Sequence, residues 1–142
     1  MSRRLARETA LQVLFQLDVS GEQADIEPIL QHWAEEFAVP EQSLQFAQEL
    51  VKGTLDHQSE IDEKLGALSE GWGLKRMANV DRNLLRLAAY EILYRPEIPG
   101  RVTINEAIEI AKLYGSADSG KFINGILDKI VADQQKTEEK SQ

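Results

Sequence analysis

Three arginines, Arg3, Arg4 and Arg7, open the chain with no acidic residue among them. A guanidinium group binds a phosphate or carboxylate through two parallel hydrogen bonds, so clustered arginines indicate an anion-binding surface. On a helix that turns about 100° per residue, Arg4 and Arg7 lie on one stripe, about 120° from the expected core face. The same stripe continues with Leu11 and Phe15. Two interpretations stay open: a solvated arginine face with Phe15 packed under a neighbouring helix, or arginines that contact RNA phosphates beside a protein-docking patch at Phe15.

A second group of residues suited to anion binding lies in the turn Gly115–Lys121, where glycine, serine and aspartate precede Lys121 and Phe122. Because helix N-termini attract phosphate and Lys121 adds a positive charge, the turn is a candidate RNA site that Lys112 could join from the preceding helix. Phe122 has two interpretations: a core residue on an apolar helix face, or an aromatic ring that stacks on an unpaired base.

The residue types that catalyse reactions form no recognisable pattern. The two histidines, His32 and His57, fall on different predicted helices, and the sequence contains no cysteine. Thiolate nucleophiles, thiolate metal sites and disulfides are therefore excluded. The chain has no Walker A loop, and Gly71-x-Gly73 lacks the third glycine of a dinucleotide fingerprint. We predict no catalytic residues, no metal site and no cofactor, so the protein is not expected to be an enzyme.

Composition restricts the class of protein further. The formal net charge of −8 argues against broad, charge-driven binding to nucleic acid but leaves room for a local basic site. A chain that is 42% hydrophobic and 28% charged has the composition of an ordinary globular protein. No apolar run approaches the roughly 20 residues that span a bilayer, and no signal-peptide pattern opens the chain. We therefore expect a cytoplasmic protein without membrane contact.

The elements that carry these residues are predicted to be helices, because apolar residues recur with a period of 3.6 and strand-like alternation is nearly absent. The fold class is all-α, with about seven helices in two packed helical subdomains. A glycine-containing break at 69–79 divides the chain into halves that are expected to form one domain. The predicted helices are 3–18, 25–38, 41–56, 59–68, 80–94, 103–114 and 120–133; the halves are about 1–70 and 74–133, within a domain at 1–133 followed by a polar tail at 134–142.

Side chains suited to helix capping occur at several predicted ends. Asp25 is expected to cap the second helix, and Gly115 is expected to end the sixth in the left-handed conformation. Gly125, in the last helix, is interpreted as a point of close helix packing. Two capping boxes are also predicted, Ser59 with Asp62 and Thr103 with Glu106.

The predicted helix 80–94 is apolar on nearly all sides, which is typical of a central helix. Its one polar line is Arg82, Arg86 and Tyr90. We expect the stems of these side chains to pack on the core and their heads to lie in water or pair with acids. Asp81, in the first turn, is expected to stabilise the helix dipole.

Four segments together resemble the NusB family of bacterial transcription antitermination factors, in family order and spacing from about Arg3 to Ile130. These segments are RRLARETALQVLFQ, VDRNLLRLAAYEIL, IP-x-x-V-x-INEAIEIAK-x-YG and KFINGILDKI. The resemblance implies a seven-helix protein of two helical subdomains with no catalytic activity. It also implies binding to the single-stranded boxA element of nascent ribosomal RNA together with NusE, a ribosomal small-subunit protein. The complex acts with RNA polymerase and other Nus factors to promote processive transcription.

The resemblance also implies which residues bind each partner. Two alternatives stay open: the RNA-recognition domain of a ribosomal RNA methyltransferase, and a protein–protein scaffold or homodimer that hides the basic patch. The implied RNA-binding residues are Arg3, Arg4, Arg7, Lys112, Tyr114, Asp118, Lys121 and Phe122, and the implied NusE-binding residues are Phe15, Asp81 and Arg82.

Overall fold

The computed structural model describes residues 2–21, 25–71 and 73–141, and all of the regular structure in these ranges is helical. The predicted all-α class with seven α-helices is confirmed. Trp72, at the predicted break, lies outside the described residues. The helices are α1 (Ser2–Ser20), α2 (Ile26–Glu36), α3 (Glu41–Asp56), α4 (Gln58–Leu68), a short 3₁₀ helix (Leu74–Arg76), α5 (Asn79–Tyr94), α6 (Gly100–Tyr114) and α7 (Ser119–Ser141).

Helix α5 is the centre of the molecule, as its apolar sequence predicts. It packs against α1, α3, α4, α6 and α7, and its residues from Asn83 to Ile92 are all buried. Helix α1 also packs against α2 and α3, while α6 packs against α7. The buried apolar residues form one cluster that includes all seven α-helices. No helix in the described part of the chain is long and apolar enough to cross a membrane.

Helix starts follow the predicted caps in one case only. Asp25 caps α2, where its side chain accepts a hydrogen bond from the Glu27 backbone N–H at 3.2 Å. Both predicted capping boxes are wrong. Helix α6 begins earlier, after Pro99, so Thr103 lies inside the helix, buried and facing α5. Helix α4 begins at Gln58 without a side-chain cap.

The end of α6 and the course of α7 also differ from the prediction. Gly115 has φ −98° and ψ −168°, so it is not in the left-handed conformation. Its Cα faces the Ser119 side chain so closely that a Cβ there would lie 2.6 Å from Ser119 Oγ. Glycine is therefore required by space and not by backbone conformation. Helix α7 continues through the polar tail to Ser141 instead of ending near residue 133.

Candidate nucleic-acid interface

Arg7 lies inside the protein in a bidentate ion pair. Its side chain is 4% exposed, and Nε and Nη2 donate to the two carboxylate oxygens of Glu91 at 2.9 and 2.7 Å. Glu91 is 1% exposed and also accepts a hydrogen bond from the Thr103 hydroxyl at 3.3 Å. Both interpretations of the arginine stripe place Arg7 at the surface, and its burial contradicts both. Leu11 on the same stripe is buried as well.

Arg4 and Arg3 remain accessible at the start of α1. Arg4 Nε donates to Glu106 Oε2 at 3.0 Å, and its Nη2 contacts the same oxygen, while the side chain is 36% exposed. The Arg3 guanidinium lies 4.5 Å from the centre of the Phe46 ring and is exposed to solvent. A cation over an aromatic face is attracted by the ring quadrupole, which holds Arg3 against α3.

Polar contacts join α1 to α6, and one of them is a 3.4 Å contact between Arg7 Nη1 and Glu106 Oε1. Arg4 reaches Glu106 as described, and the Tyr114 hydroxyl donates to Glu8 Oε1 at 2.6 Å. Hydrogen bonds from Arg4 lower the pKa of the Glu106 carboxyl, whereas burial and the bond to Glu8 raise the pKa of the Tyr114 phenol. The Glu106 carboxylate and the Tyr114 phenol therefore keep these contacts near neutral pH. Arg4 therefore lies beside the first half of α6, and Glu8, one turn farther along α1, lies beside its last residue.

The turn between α6 and α7 forms the wall of a groove, which we call the loop groove. The Ser116 backbone N–H donates to Ser119 Oγ at 2.9 Å, which fixes the turn at the start of α7. Lys112 and Lys121 are exposed on the two sides, and Lys112 Nζ donates to Glu109 Oε1 at 3.1 Å. The loop groove has a volume of about 380 Å³ and is lined by Ile108, Lys112, Gly115, Ser116, Ala117, Gly120 and Lys121.

Phe122 and Asp118 follow the turn at the start of α7. Phe122 is half-buried, packed against the core on one side and open to solvent on the other. Asp118 is exposed. The core interpretation of Phe122 therefore holds for part of the ring, and the rest of the ring is exposed.

Arg82, expected to face a partner protein, is held within the chain. Its guanidinium donates to Asp18 Oδ2 at 2.9 Å and to the backbone oxygens of Leu74 and Met77 at 3.0 and 3.1 Å. The side chain is 15% exposed. Burial alone would raise the pKa of the Asp18 carboxyl, but hydrogen bonds from Asn83 and Arg82 outweigh it and hold this pKa below its ordinary value.

Arg86 continues the polar line of α5, and it pairs with acids as expected. It donates to both carboxylate oxygens of Asp62 at 2.8 and 2.9 Å. Asp81 lies in the first turn of α5, and its Oδ1 is buried without a hydrogen-bond partner. Phe15, on α1, is half-buried and partly open to solvent. Of the three expected partner-binding residues, Phe15 is the one whose side chain offers apolar surface.

Sequence reasoning did not single out three acids that hold Arg7, Arg82 and Tyr114. Glu8, Glu91 and Asp18 each accept a hydrogen bond from a residue of the candidate interface. For two of these acids, Glu91 and Asp18, the sequence does contain a signal. Glu91 is the one acid in the mostly apolar stretch 84–93 of α5, so it requires a buried partner. Asp18 continues the stripe of Arg7 and Leu11 on α1. Among the described residues, no cluster of three or more acidic or histidine side chains could hold a metal ion.

Comparison with known proteins gives the family. A model of the NusB family matches residues 4–132. The chain belongs to the NusB family. It is 70% identical over 140 residues to the transcription antitermination protein NusB of Desulfitobacterium hafniense, covering 99% of this chain and 95% of that one. It is 53% identical over 131 residues to the NusB protein of Desulforamulus reducens, covering 92% and 90%.

Solved structures of NusB proteins share the fold. T. maritima NusB superimposes with a TM-score of 0.86 at 40% sequence identity, covering 97% of this chain and 98% of that one. A crystal structure of the antitermination factors NusB and NusE in complex with double-stranded RNA superimposes with a TM-score of 0.83 at 27% identity, covering 93% and 97%. The resemblance inferred from the four sequence segments is confirmed.

Proposed function

We propose that the chain is a transcription antitermination factor that binds the boxA element of nascent ribosomal RNA together with NusE. The complex would act with RNA polymerase and other Nus factors in the cytoplasm to promote processive transcription. The observation that carries the RNA-binding part is the pair of contacts Arg4–Glu106 and Tyr114–Glu8, which lays the first turns of α1 along α6, with Glu8 at the α6–α7 turn and Arg4 one helical turn away. Membership of a family whose relatives are named antitermination proteins supports the activity. The methyltransferase-domain alternative has less support for the same reason.

The residues have different roles in this proposal. Arg3, Arg4, Lys112 and Lys121 would contact phosphates, because their charged groups reach the surface. Arg7 would hold α1 in position through Glu91 and would not touch RNA. Asp118 would lie beside the RNA backbone at the turn. Tyr114 would act chiefly by fixing α6 to α1, and Phe122 would provide a stacking surface.

The NusE-binding surface would lie around Phe15 and the start of α5, where Asp81 is located. Arg82 would be a positioning residue there, because it ties Asp18 of α1 to the segment Leu74–Met77. No metal, cofactor or catalytic group takes part. The alternative arrangement is a homodimer formed through the same surface, which would compete with NusE. A measurement of the molecular mass in solution would reveal it.

The test is a titration of labelled boxA and scrambled RNA with and without NusE at several salt concentrations. We expect preference for boxA, and tighter binding when NusE is present. Lys121→Gln should lower the slope of log affinity against log salt by about 0.7, the value for one phosphate contact on a single strand. Lys136→Gln, an exposed lysine near the other end of α7, is the matched control and should bind as the wild type does. Equal affinity for both RNAs in the presence of NusE would contradict the proposed function.

A further inference from the structure

Helix α2 has an outer face that combines aromatic and acidic side chains, which we call the α2 face. Residues at i, i+3, i+4 and i+7 lie on one side of a helix, and here they are Ile29, His32, Trp33 and Glu36. His32 and Glu36 are exposed, while Ile29 and Trp33 are half-buried and partly open to solvent. In the described part of the chain, α1 is the one helix against which α2 packs extensively. Helix α2 therefore lies at the edge of the molecule, with this face accessible.

Trp33 is held in position at the surface by its neighbours. Its indole N–H donates to the side-chain oxygen of Gln16, an exposed residue of α1, at 3.0 Å. The His32 ring meets the indole edge-on at 5.0 Å between centroids, and the Phe37 ring stacks on it at 5.9 Å. The indole is thus ordered before a partner arrives, which lowers the entropic cost of binding. Tryptophan is also among the residues that most often dominate the binding energy at protein interfaces.

The surroundings of the α2 face are acidic. The sequence contains neither lysine nor arginine between Arg7 and Lys52, whereas acids occur throughout this segment. The exposed acids on α2 and at the start of α3 are Glu27, Glu35, Glu36 and Glu41. Glu27 and Glu35 accept hydrogen bonds from neutral glutamine side chains, and none of the carboxylates in this group forms an ion pair with another described residue. Their negative charge is therefore not compensated within the described part of the chain.

This charge selects the class of partner. An acidic surface without counter-charges of its own attracts lysine and arginine and repels phosphate, so RNA and anionic lipids are disfavoured at the α2 face. A second copy of this chain is disfavoured as well, because its net charge is −8. A protein segment with basic side chains around an apolar anchor matches both the acids and the exposed part of the indole.

The α2 face also differs in direction from the surface assigned to NusE. Gln16, which holds Trp33, lies about 100° around α1 from Phe15. We propose that the α2 face docks a basic protein segment, with an apolar side chain packed on Trp33 and lysine or arginine side chains paired with Glu36 and the neighbouring acids. This docking site is additional to the RNA and NusE sites of the proposed function and does not depend on them.

The probe is a synthetic amphipathic peptide with leucines on one helical face and lysines at the other positions. It is titrated into the full chain by calorimetry and by NMR of the isotope-labelled protein. We expect one peptide to bind each chain, with the largest amide shifts in α2. A peptide of the same composition whose leucines no longer share one face should bind about ten-fold more weakly, because the apolar anchor carries most of the affinity. A peptide with glutamate in place of lysine should not bind.

A matched pair of charge reversals locates the site. Glu36 and Glu63 are both exposed helical acids, but Glu63 lies on α4, away from the α2 face. Glu36→Lys should weaken peptide binding about five-fold, because an exposed ion pair becomes a like-charge contact. Glu63→Lys changes the net charge equally and should bind as the wild type does. Trp33→Ala should weaken binding about thirty-fold, the loss expected at an interface hot spot, and thermal melting checks that this variant is folded.

Binding of RNA and NusE separates this proposal from the proposed function. Both should be unchanged in Glu36→Lys. Equal peptide binding by Glu36→Lys and Glu63→Lys, or amide shifts mainly outside α2, would overturn the docking site. Loss of NusE binding in Glu36→Lys would also overturn it, because NusE would then occupy the α2 face. A wild type that binds the peptide at α2 but does not prefer boxA would contradict the proposed function and support the docking site.

Discussion

Arg4 and Arg7 lie one helical turn apart on α1, yet their surroundings differ in the property that decides the role of a charge. Arg4 is 36% exposed and pairs with a half-buried acid, whereas Arg7 is 4% exposed and faces an acid that is 1% exposed. An exposed ion pair contributes little to stability, while a buried charge that loses its partner is strongly destabilising. The first arginine can therefore exchange its partner for a phosphate, and the second cannot.

Arg7→Ala should lower the free energy of unfolding by about 3–5 kcal/mol, because it leaves the Glu91 carboxylate buried without its counter-charge. Arg4→Ala should lower it by about 1 kcal/mol or less, since its pair is partly exposed. Urea unfolding followed by circular dichroism measures both. Arg7→Met combined with Glu91→Leu should recover most of the loss, because it removes both charges together. Similar losses for the two single alanine variants would contradict the assignment of Arg7 to the interior.

The arginine cluster was predictable at the residue scale, but its division into surface and interior was not. Sequence spacing places Arg4 and Arg7 on one stripe. The acid that pairs with Arg7 in the interior is Glu91 on α5, 84 positions farther along the chain. Helical periodicity reports the face of one helix and not the partner that packs against it, so long-range pairs of this kind were missed.

At the scale of elements, the α6–α7 turn is set by the contact between one glycine and one serine. Ser119 is buried, and its side chain occupies the space beside Gly115 while Oγ accepts from the Ser116 backbone N–H. The turn therefore depends on the absence of a side chain at Gly115. Gly125, six residues after Ser119 in α7, shows the opposite situation, because a Cβ built there would meet no atom within 4 Å. The interpretation of Gly125 as a point of close helix packing is therefore wrong.

This contrast gives a matched pair of variants. Gly115→Ala should lower the free energy of unfolding by about 1–3 kcal/mol, since its Cβ would lie 2.6 Å from Ser119 Oγ and 2.9 Å from the Ala111 backbone oxygen. Gly125→Ala should raise it by roughly 0.5–1 kcal/mol through helix propensity alone. Chemical denaturation at fixed pH compares the two. If both substitutions stabilise the protein, the turn is not closed by packing against Ser119.

Helix positions were predicted well, and helix ends less well. Periodicity located all seven α-helices, because each buries an apolar stripe. The capping boxes failed because Thr103 and Asp62, which have the right side chains for a cap, are used in contacts with α5 instead. A polar side chain near a helix start can satisfy either its own backbone or a neighbouring helix, and the sequence of one helix does not distinguish these uses.

At the scale of the whole molecule, acids on α1 and α4 hold the central helix. Asp18 accepts hydrogen bonds from Arg82 and Asn83 at 2.9 and 2.8 Å, and Asp62 accepts from Arg86. The Asp18 contacts and the Arg7–Glu91 pair join the two ends of α1 to α5, and the Asp62–Arg86 pair joins α4 to it. The two halves of the chain are thus connected by charged pairs as well as by the shared apolar core.

Stability should therefore fall in acid. The ordinary pKa values of Asp18 and Glu106 are 3.8 and 4.5, and both are lowered in the folded protein. A lowered pKa adds stability above the unfolded value, which is lost as pH falls through the folded value, so the loss should begin below about pH 5. Urea unfolding from pH 7 to pH 3 measures it.

Asp18→Asn isolates one of these contributions. At pH 7 it should lower the free energy of unfolding by roughly 1.5–3 kcal/mol, the range for hydrogen bonds to a charged group. Wild type and variant should converge as the Asp18 carboxyl of the wild type becomes protonated. A constant difference between them across the whole pH range would show that Asp18 acts through packing and not through its charge.

The pairing of Arg4 with Glu106 also determines how this arginine would bind RNA. In the free protein the guanidinium already holds an anionic oxygen, because Nε and Nη2 of Arg4 both contact Glu106 Oε2. The side chain is therefore preorganised, and RNA does not have to order it on arrival. Binding at this position becomes an exchange of one anion for another, so each phosphate must compete with a tethered carboxylate. That competition weakens contacts with isolated anions and favours a strand that presents several phosphates at once.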